Sequence, residues 1–132
     1  MILSKPDNSF RKPERLCSEK RIGALFSSDT SFISYPYRIV YNMQVPDAEP
    51  NVSVLITVPK KKFKRAVKRN RIKRLTRESY RLNKGLFKEV VGSLNKSVDI
   101  AFIYLSTDVL PYAEIEKSVQ KAAVILKDKV GE

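Results

Sequence analysis

Alternating apolar and polar residues predict two β-strands in the first half of the chain. Tyr37–Met43 alternates with a period of two, and Val52–Val58 repeats that pattern. The Pro- and Asp-rich segment 45–51 between them is typical of a turn, so the two strands are expected to form a hairpin. Pro59 ends the second strand because it has no N–H for the ladder. A third strand is predicted at Val98–Leu105, an apolar run typical of the centre of a sheet.

Helical spacing of apolar residues predicts three helices, which gives the order α, β, β, α, β, α. The first is expected at Pro13–Phe26 and ends at the polar break 27–30. The second covers residues 66–84, and 85–94 is open between a loop and a short helix. The third follows Pro111, where apolar residues recur at spacings of 4, 3, 4 and 4. This order is typical of an α+β fold built as a two-layer sandwich.

The length of the chain, 132 residues, suits one domain with a core of its own. Residues 1–9 are polar, contain Pro6 and are expected to lack order, which leaves residues 10–132 as a single domain. The start lacks the apolar core of a signal peptide, and no apolar run approaches the roughly 20 residues that span a bilayer. The single cysteine, Cys17, allows no intrachain disulfide. We therefore expect a cytoplasmic protein that does not attach to membranes.

The positive charge of the chain is concentrated in one segment. The formal net charge is +12, from 26 basic and 14 acidic side chains. Lys60–Lys84 contains 13 of the basic residues and one acid, a net of +12, so the other 13 basic and 13 acidic residues cancel. Charge placed this way predicts a polyanionic partner that is bound through its phosphates. An acidic membrane surface is the competing partner, and it is disfavoured because the apolar positions of residues 66–84 lack Trp and Phe.

Residues 66–84 separate by character when they are placed on a helix at about 100° per residue. One narrow sector holds Ile72, Leu75, Thr76, Ser79 and Leu82, and the only charge within it is Lys68 near the helix start, where its long stem can reach the surface. The opposite side holds Asn70, Lys73, Arg74, Arg77, Arg81 and Lys84, with Arg69 at its edge. Glu78 is spaced to pair with Arg74 or Arg81. A disordered tail has no reason to separate its side chains, so this segment is predicted to dock on the sheet by one face and present its cations on the other.

Several function classes are excluded or disfavoured by composition. The chain has no histidine, which removes Ser-His-Asp and Cys-His catalysis, and one cysteine without histidine removes Cys/His zinc sites. The acids form no DxD or ExxE pair that would suggest a two-metal site. A DNA-reading helix is disfavoured because Ile72, Leu75 and Leu82 hold the helix against a sheet. The aromatic side chains of Tyr37 and Tyr41 remain open between core and stacking positions, whereas core is favoured for Phe26.

The stretch VSVLITVPKKKFKRAVKRNRIKRLTRESYR resembles the signature region of the bacterial ribonuclease P protein family. The matching positions are Lys60-Lys61, Ala66-Val67, Arg69-Asn70-Arg71, Lys73-Arg74 and Arg77-Glu78. A weaker match precedes it at Phe10, Arg15-Leu16 and Phe26, and Tyr41 falls where the family's strand carries an aromatic residue. The resemblance covers about residues 10–128.

This resemblance implies an αβββαβα order, with a short additional strand near Phe32–Tyr35, a mixed sheet with helices packed on it, and a left-handed βαβ crossover. It also implies a subunit that binds the catalytic RNA of ribonuclease P and contacts the 5′ leader of precursor tRNA between the first helix and the sheet. The subunit would assist the endonucleolytic removal of that leader, with Mg²⁺ bound mainly by the RNA and none by the protein alone. A general or ribosome-associated RNA-binding module without an enzyme role remains the alternative.

The resemblance assigns two sets of candidate residues. The RNA-binding candidates are Lys60, Lys61, Arg65, Arg69, Asn70, Arg71, Lys73, Arg74, Arg77 and Arg81. The leader-contact candidates are Phe10, Arg15, Ile22, Phe26, Tyr37 and Tyr41. The chain departs from the family pattern at Ile22, where the family carries a second Phe that lines the leader cleft, and at Pro59, where it carries Ser. These departures indicate a divergent member.

Overall fold

A computed structural model describes residues 19–28, 30–44, 52–94 and 96–130 of the chain. Within these ranges the chain forms α1 (Glu19–Ser27), β1 (Ser31–Ser34), β2 (Tyr37–Gln44), β3 (Val52–Thr57), α2 (Ala66–Leu94), β4 (Ser97–Tyr104) and α3 (Tyr112–Val130). This is the α+β class and the αβββαβα order that were expected. The proposed disorder of residues 1–9 and the start of the first helix at Pro13 lie outside the described residues.

The four strands form one mixed sheet in the order β1-β2-β4-β3. β2 pairs antiparallel with both β1 and β4, whereas β3 pairs parallel with β4. The predicted hairpin between β2 and β3 is therefore wrong, because β4 lies between these two strands. Seven of the eight residues of β4 are buried, on both faces, and such a strand needs a neighbour on each side. The parallel unit β3–α2–β4 is the crossover for which a left-handed sense is expected, and that handedness stays a prediction.

The larger core lies between one face of the sheet and the helices α2 and α3. The ring of Tyr37 is fully buried there and meets Phe102 and Tyr104 edge-on, at centroid distances of 5.6 Å each. Its hydroxyl hydrogen-bonds with the Thr76 side chain of α2 at 2.6 Å. The Ser34 hydroxyl donates to the Ser118 carbonyl of α3 at 2.8 Å. Both helices are thus fixed to the sheet by polar contacts as well as by apolar packing.

Helix α2 is longer than the sequence pattern indicated, because it continues through residues 85–94 as one helix of 29 residues. Its inward face contains Ile72, Thr76 and Ser79, as predicted, and continues through Phe87 and Val90. Two predictions on this helix are wrong. Leu82 is 45% exposed, and Lys84, expected among the outward cations, is only 2% exposed. The sequence prediction considered residues 66–84 only. In the full helix the buried face continues toward Phe87 and Val90, and this face includes Lys84 but not Leu82.

Helix α1 covers the opposite face of the sheet with a small apolar cluster in which Leu25 packs with Val40 and Ala101. Arg21 of α1 reaches the middle of the sheet. Its guanidinium donates to both carboxylate oxygens of Asp99, through Nε at 3.2 Å and through Nη2, and Nη2 also donates to the Ser53 hydroxyl at 3.2 Å. Asp99 is fully buried in β4, so this ion pair holds α1 at a fixed place on the sheet.

We expect Arg21→Met to lower the free energy of unfolding by about 3 kcal/mol, because it leaves the Asp99 carboxylate buried without its guanidinium. The measurement is urea denaturation followed by circular dichroism at pH 7. The double variant Arg21→Met/Asp99→Asn removes the buried charge as well and should recover part of the loss. Arg38→Met, an exposed arginine of β2 on the same face, is the control and should change stability by less than about 0.5 kcal/mol. Equal stability of the Arg21 and Arg38 variants would contradict the anchoring role of the ion pair.

Candidate nucleic-acid interface

The lysine-rich loop before α2 is a fixed turn anchored by Phe63. The Pro59 carbonyl accepts the backbone N–H groups of Lys62 and Phe63, at 3.2 and 3.4 Å. The Phe63 ring is buried against Tyr104, with 6.0 Å between ring centroids. The Lys62 ammonium donates to the carbonyl of Leu105, across the loop that follows β4. Lys60 and Lys61 are consequently held at the surface with exposed side chains.

Arg69, the first arginine of the family motif, is bound to the protein itself. Its Nη1 donates to the Phe63 carbonyl at 2.6 Å and to the Lys64 carbonyl at 3.0 Å. The side chain is half-buried, and it joins the first turn of α2 to the preceding loop. Arg69 therefore helps to position the loop that carries Lys60 and Lys61.

The other RNA-binding candidates of residues 65–77 face outward. Arg65, Asn70, Arg71, Arg74 and Arg77 have exposed side chains, and Lys73 is half-buried. Together with Lys60 and Lys61 these six residues form the basic surface. At about 1.5 Å of rise per residue, the part from Arg65 to Arg77 is about 18 Å long. Because α2 is fixed to the sheet on its inner side, the guanidinium groups are presented from a rigid support, which suits two-point binding of phosphates.

Arg81 differs from these arginines because it is paired. Its Nη2 donates to Glu78 Oε1 at 2.5 Å and its Nε to Oε2 at 3.2 Å, the spacing of three residues that the sequence allowed. The hydrogen bond from Arg81 lowers the pKa of the Glu78 carboxyl, so the pair is fully ionised at neutral pH. Glu78 neutralises much of the charge that Arg81 could offer to an RNA. The basic surface therefore ends one turn before Arg81.

The leader-contact candidates do not lie together. Ile22 is half-buried in the α1 cluster, and Phe26, one turn further, is 48% exposed. Tyr37 and Tyr41 lie on the other face of the sheet, buried beneath α2 and α3. Burial raises the pKa of Tyr37, whose hydroxyl is bound to Thr76. A ring with no exposed surface cannot stack on a base, so the expectation for Tyr37 is wrong, and Tyr41 has almost no surface to offer.

Strand alternation in the sequence could have identified further residues on the α1 face, which were not among the leader-contact candidates. Strand alternation places Arg38 opposite Tyr37, and in the structure Arg38 is exposed on the α1 face beside the exposed side chain of Ile33. Together with Phe26 they give this face a cation and apolar surface. Phe10 and Arg15 lie outside the described residues.

Two absences concern the described ranges only. Across residues 19–28, 30–44, 52–94 and 96–130, acidic and cysteine side chains nowhere gather in groups of three that could hold a metal ion. Over the same ranges, no helix combines the length and the apolar character needed to cross a bilayer. The chemistry of the described residues is that of a rigid cationic surface. Fold and surface together are those of a polyanion-binding protein of the α+β class.

Comparison with known proteins identifies the family. The family model described as Ribonuclease P matches residues 10–127. The ribonuclease P protein component of Porphyromonas gingivalis is 37% identical over 98% of this chain and 94% of its own length, and that of Chlorobaculum tepidum is 34% identical over 86% and 79%. The chain belongs to the ribonuclease P protein family, which forms the protein part of an RNA-based endonuclease.

Solved structures agree on the fold. The ribonuclease P protein of Thermotoga maritima superposes with a TM-score of 0.64 at 21% identity, covering 87% of this chain and 96% of that one. The Staphylococcus aureus protein gives 0.62 at 21% identity, covering 85% and 94%. Family membership also decides between the functions that the residues left open. The chain is the protein subunit that works with ribonuclease P RNA and binds precursor tRNA in tRNA 5′ maturation.

The pair formed by Glu78 and Arg81 leads to a prediction about affinity. Glu78→Gln should tighten binding to ribonuclease P RNA, because it releases the Arg81 guanidinium to contact one more phosphate. The slope of log K against log salt should steepen by up to about 0.9. The measurement is filter binding at several KCl concentrations. Glu89→Gln removes an exposed acid of the second half of α2 and is the control. Equal effects of the two variants would show that only net charge matters.

Proposed function

We propose that this subunit binds ribonuclease P RNA through the basic surface and the precursor-tRNA leader through the α1 face of the sheet. The observation that carries the first part is the one-sided exposure of α2. Its inner side is fixed to the sheet at Thr76 and Ile72, while Asn70, Arg74 and Arg77 are open to solvent. A surface of this kind positions phosphates without conformational rearrangement.

The roles of the ten RNA-binding candidates divide in our proposal. Lys60, Lys61, Arg65, Arg71, Lys73, Arg74 and Arg77 contact phosphates directly. Asn70 has both donors and acceptors and can contact a base edge or a 2′-hydroxyl within the cationic surroundings. Arg69 acts by holding the loop, and Arg81 is engaged by Glu78.

The leader is proposed to lie against α1, where Phe26 supplies an exposed ring and Arg38 a cation for the leader's phosphates. Ile22 gives aliphatic surface where the family has an aromatic ring, so stacking depends on Phe26. The ion pair between Arg21 and Asp99 fixes the orientation of this helix. The leader would therefore contact a helix that is held to the sheet, as the RNA does at the basic surface.

We propose that Mg²⁺ is bound by the RNA partner. The proposal is supported by the described residues, whose acidic side chains form no group of three that could hold a metal ion without the RNA. The contribution of the protein to hydrolysis is then to neutralise phosphates where RNA and substrate approach each other, which lowers the concentration of Mg²⁺ needed for folding and binding. We expect the protein to act in the cytoplasm together with this RNA.

Reconstitution tests the basic surface. Adding the protein to a bacterial ribonuclease P RNA at low Mg²⁺ should accelerate 5′ cleavage of precursor tRNA. Arg74→Ala/Arg77→Ala should weaken RNA binding by about 2–6 kcal/mol in total, since each of the two lost contacts to a charged group is worth about 1–3 kcal/mol. Gel-shift titration gives the affinity, and gel analysis of the product gives the rate.

The matched control removes the same charge elsewhere. Lys117→Ala/Lys121→Ala takes two exposed lysines from α3 and should change affinity only slightly. If both double variants lose affinity equally, the protein binds through overall charge and the proposed surface is wrong. If the native protein neither accelerates cleavage nor reduces the Mg²⁺ requirement, the proposed role of the subunit in this assembly is wrong.

The leader contact has a separate test. Phe26→Ala should raise the Kd of the holoenzyme for precursor tRNA about tenfold, because a stacked base is worth about 1–3 kcal/mol. The same variant should leave the Kd for mature tRNA, which has no leader, unchanged. Fluorescence anisotropy with both RNAs checks this. An equal loss for the two RNAs would mean that Phe26 supports the fold rather than the leader.

A further inference from the structure

An open depression of about 540 Å³ lies beside the basic surface, where the first turns of α2 meet the loop between β4 and α3. Its lining is mixed, with apolar, cationic and acidic side chains from both elements. Its lining includes Phe63, Val67, Lys68, Arg71, Asp108 and Val109. The volume falls within the roughly 300–1,000 Å³ of small-molecule sites, so a nucleotide is of suitable size.

The apolar part of the lining extends from the core to the surface, since Phe63 belongs to the core, Val109 packs against it and Val67 lies outside it. Val67 stands in the first turn of α2 and is 78% exposed, although its neighbours in the chain are mostly cations. Val109 is half-buried on the opposite wall, and the buried ring of Phe63 closes the floor. The Phe63 carbonyl is held by Arg69, so the floor is fixed to the helix. Apolar surface is exposed to water at this place, and covering it with a flat ring is favourable because it removes that surface from water.

The charged part of the lining has two signs. Lys68 and Arg71 are exposed and lie three residues apart, on one side of the helix. Asp108 lies across from them, and among the described residues its carboxylate has no ion-pair partner. The backbone of Asp108 is fixed, since its carbonyl accepts the Tyr104 hydroxyl at 2.6 Å and its N–H donates to Ser106 Oγ at 3.1 Å. The loop thus presents an acceptor next to two cations.

We propose that this depression binds one unstacked nucleotide of the partner RNA. The base covers Val67 and Val109, Lys68 and Arg71 bind its phosphate, and the Asp108 carboxylate accepts N–H groups of the base. An ionised carboxylate only accepts hydrogen bonds, and its two oxygens can accept side by side. Guanine fits best because it offers two neighbouring N–H donors. Recognition of unstacked bases is common in RNA-binding proteins. The inference rests on the proposed RNA interface and adds a base-reading site to it.

The sign of one mutational effect separates this site from simple charge attraction. Asp108→Ala removes a negative charge next to a cationic surface, so electrostatics alone would tighten RNA binding. If the Asp108 carboxylate binds a base, Asp108→Ala should instead weaken the affinity for ribonuclease P RNA about tenfold, which is the effect expected for one lost base contact. The backbone hydrogen bonds of Asp108 do not need its side chain, so the loop should keep its shape. Asp128→Ala, an exposed acid of α3, is the charge-matched control.

Two valine variants test the apolar part. Val67→Ser should weaken RNA binding about fivefold at every salt concentration without changing the salt slope, because it removes apolar contact and no charge. Val124→Ser alters a valine of α3 that is 60% exposed and should leave affinity within twofold. Tighter binding by Asp108→Ala, or equal affinities of the two valine variants, overturns the proposed pocket.

A titration of the isolated protein separates this proposal from the proposed function. Guanosine 5′-monophosphate should shift the methyl NMR signals of Val67 and Val109, whereas ribose 5-phosphate should not. If Arg74→Ala/Arg77→Ala weakens RNA binding but the nucleotide leaves both methyl signals in place, the basic surface stands and the pocket is wrong. If the protein fails to bind ribonuclease P RNA while the nucleotide shifts both signals, the proposed function is wrong and the pocket stands.

Discussion

A buried carboxylate in the central strand determines how the layers of this protein are arranged. Asp99 lies in β4, between β2 and β3, where a lone negative charge would be costly. Arg21 supplies its counter-charge from α1 and also reaches Ser53 of the neighbouring strand. The pair therefore joins one helix and two strands on the face opposite α2 and α3. The two faces that we propose to contact RNA keep a fixed relation to each other because both are built on β4 and its neighbours.

The cations of α2 have different tasks even though they look equivalent in the sequence. Arg69 is bound to two carbonyls of the preceding loop, Arg81 is neutralised by Glu78, and Lys84 is buried. Arg74 and Arg77 have exposed side chains, and Arg77 Nε donates to the Lys73 carbonyl at 3.4 Å. A structural arginine, a paired arginine and exposed arginines thus follow one another within four turns of a single helix. A loss of RNA affinity on replacing Arg69 would therefore report the shape of the loop as much as a lost contact.

The sequence predicted which side chains of an element point inward or outward better than it predicted which elements lie next to each other. Period-two alternation correctly separated Tyr37 from Arg38, and the helical pattern correctly placed Ile72 and Thr76 inward. Alternation carries no information on pairing, so the β2–β3 hairpin was wrong. It also does not say which face α1 covers, so it could not show that Tyr37, a leader-contact candidate, belongs to the core beneath α2 and α3. The contact between Arg21 and Asp99 joins positions 78 residues apart and leaves no local pattern. The depression beside Val67 likewise depends on a loop about 40 residues further along the chain.

The uneven distribution of charge gives the molecule an electric dipole. Residues outside Lys60–Lys84 sum to zero, so the positive end is the loop and the first half of α2. In the field of an approaching RNA such a dipole experiences a torque before any atoms touch, and the protein is turned so that this end arrives first. Orientation during diffusion raises the rate of productive encounters without adding to the final contacts. The anchoring of Phe63 and Arg69 matters here as well, because a dipole can align a docking surface only if the charges and that surface move as one body.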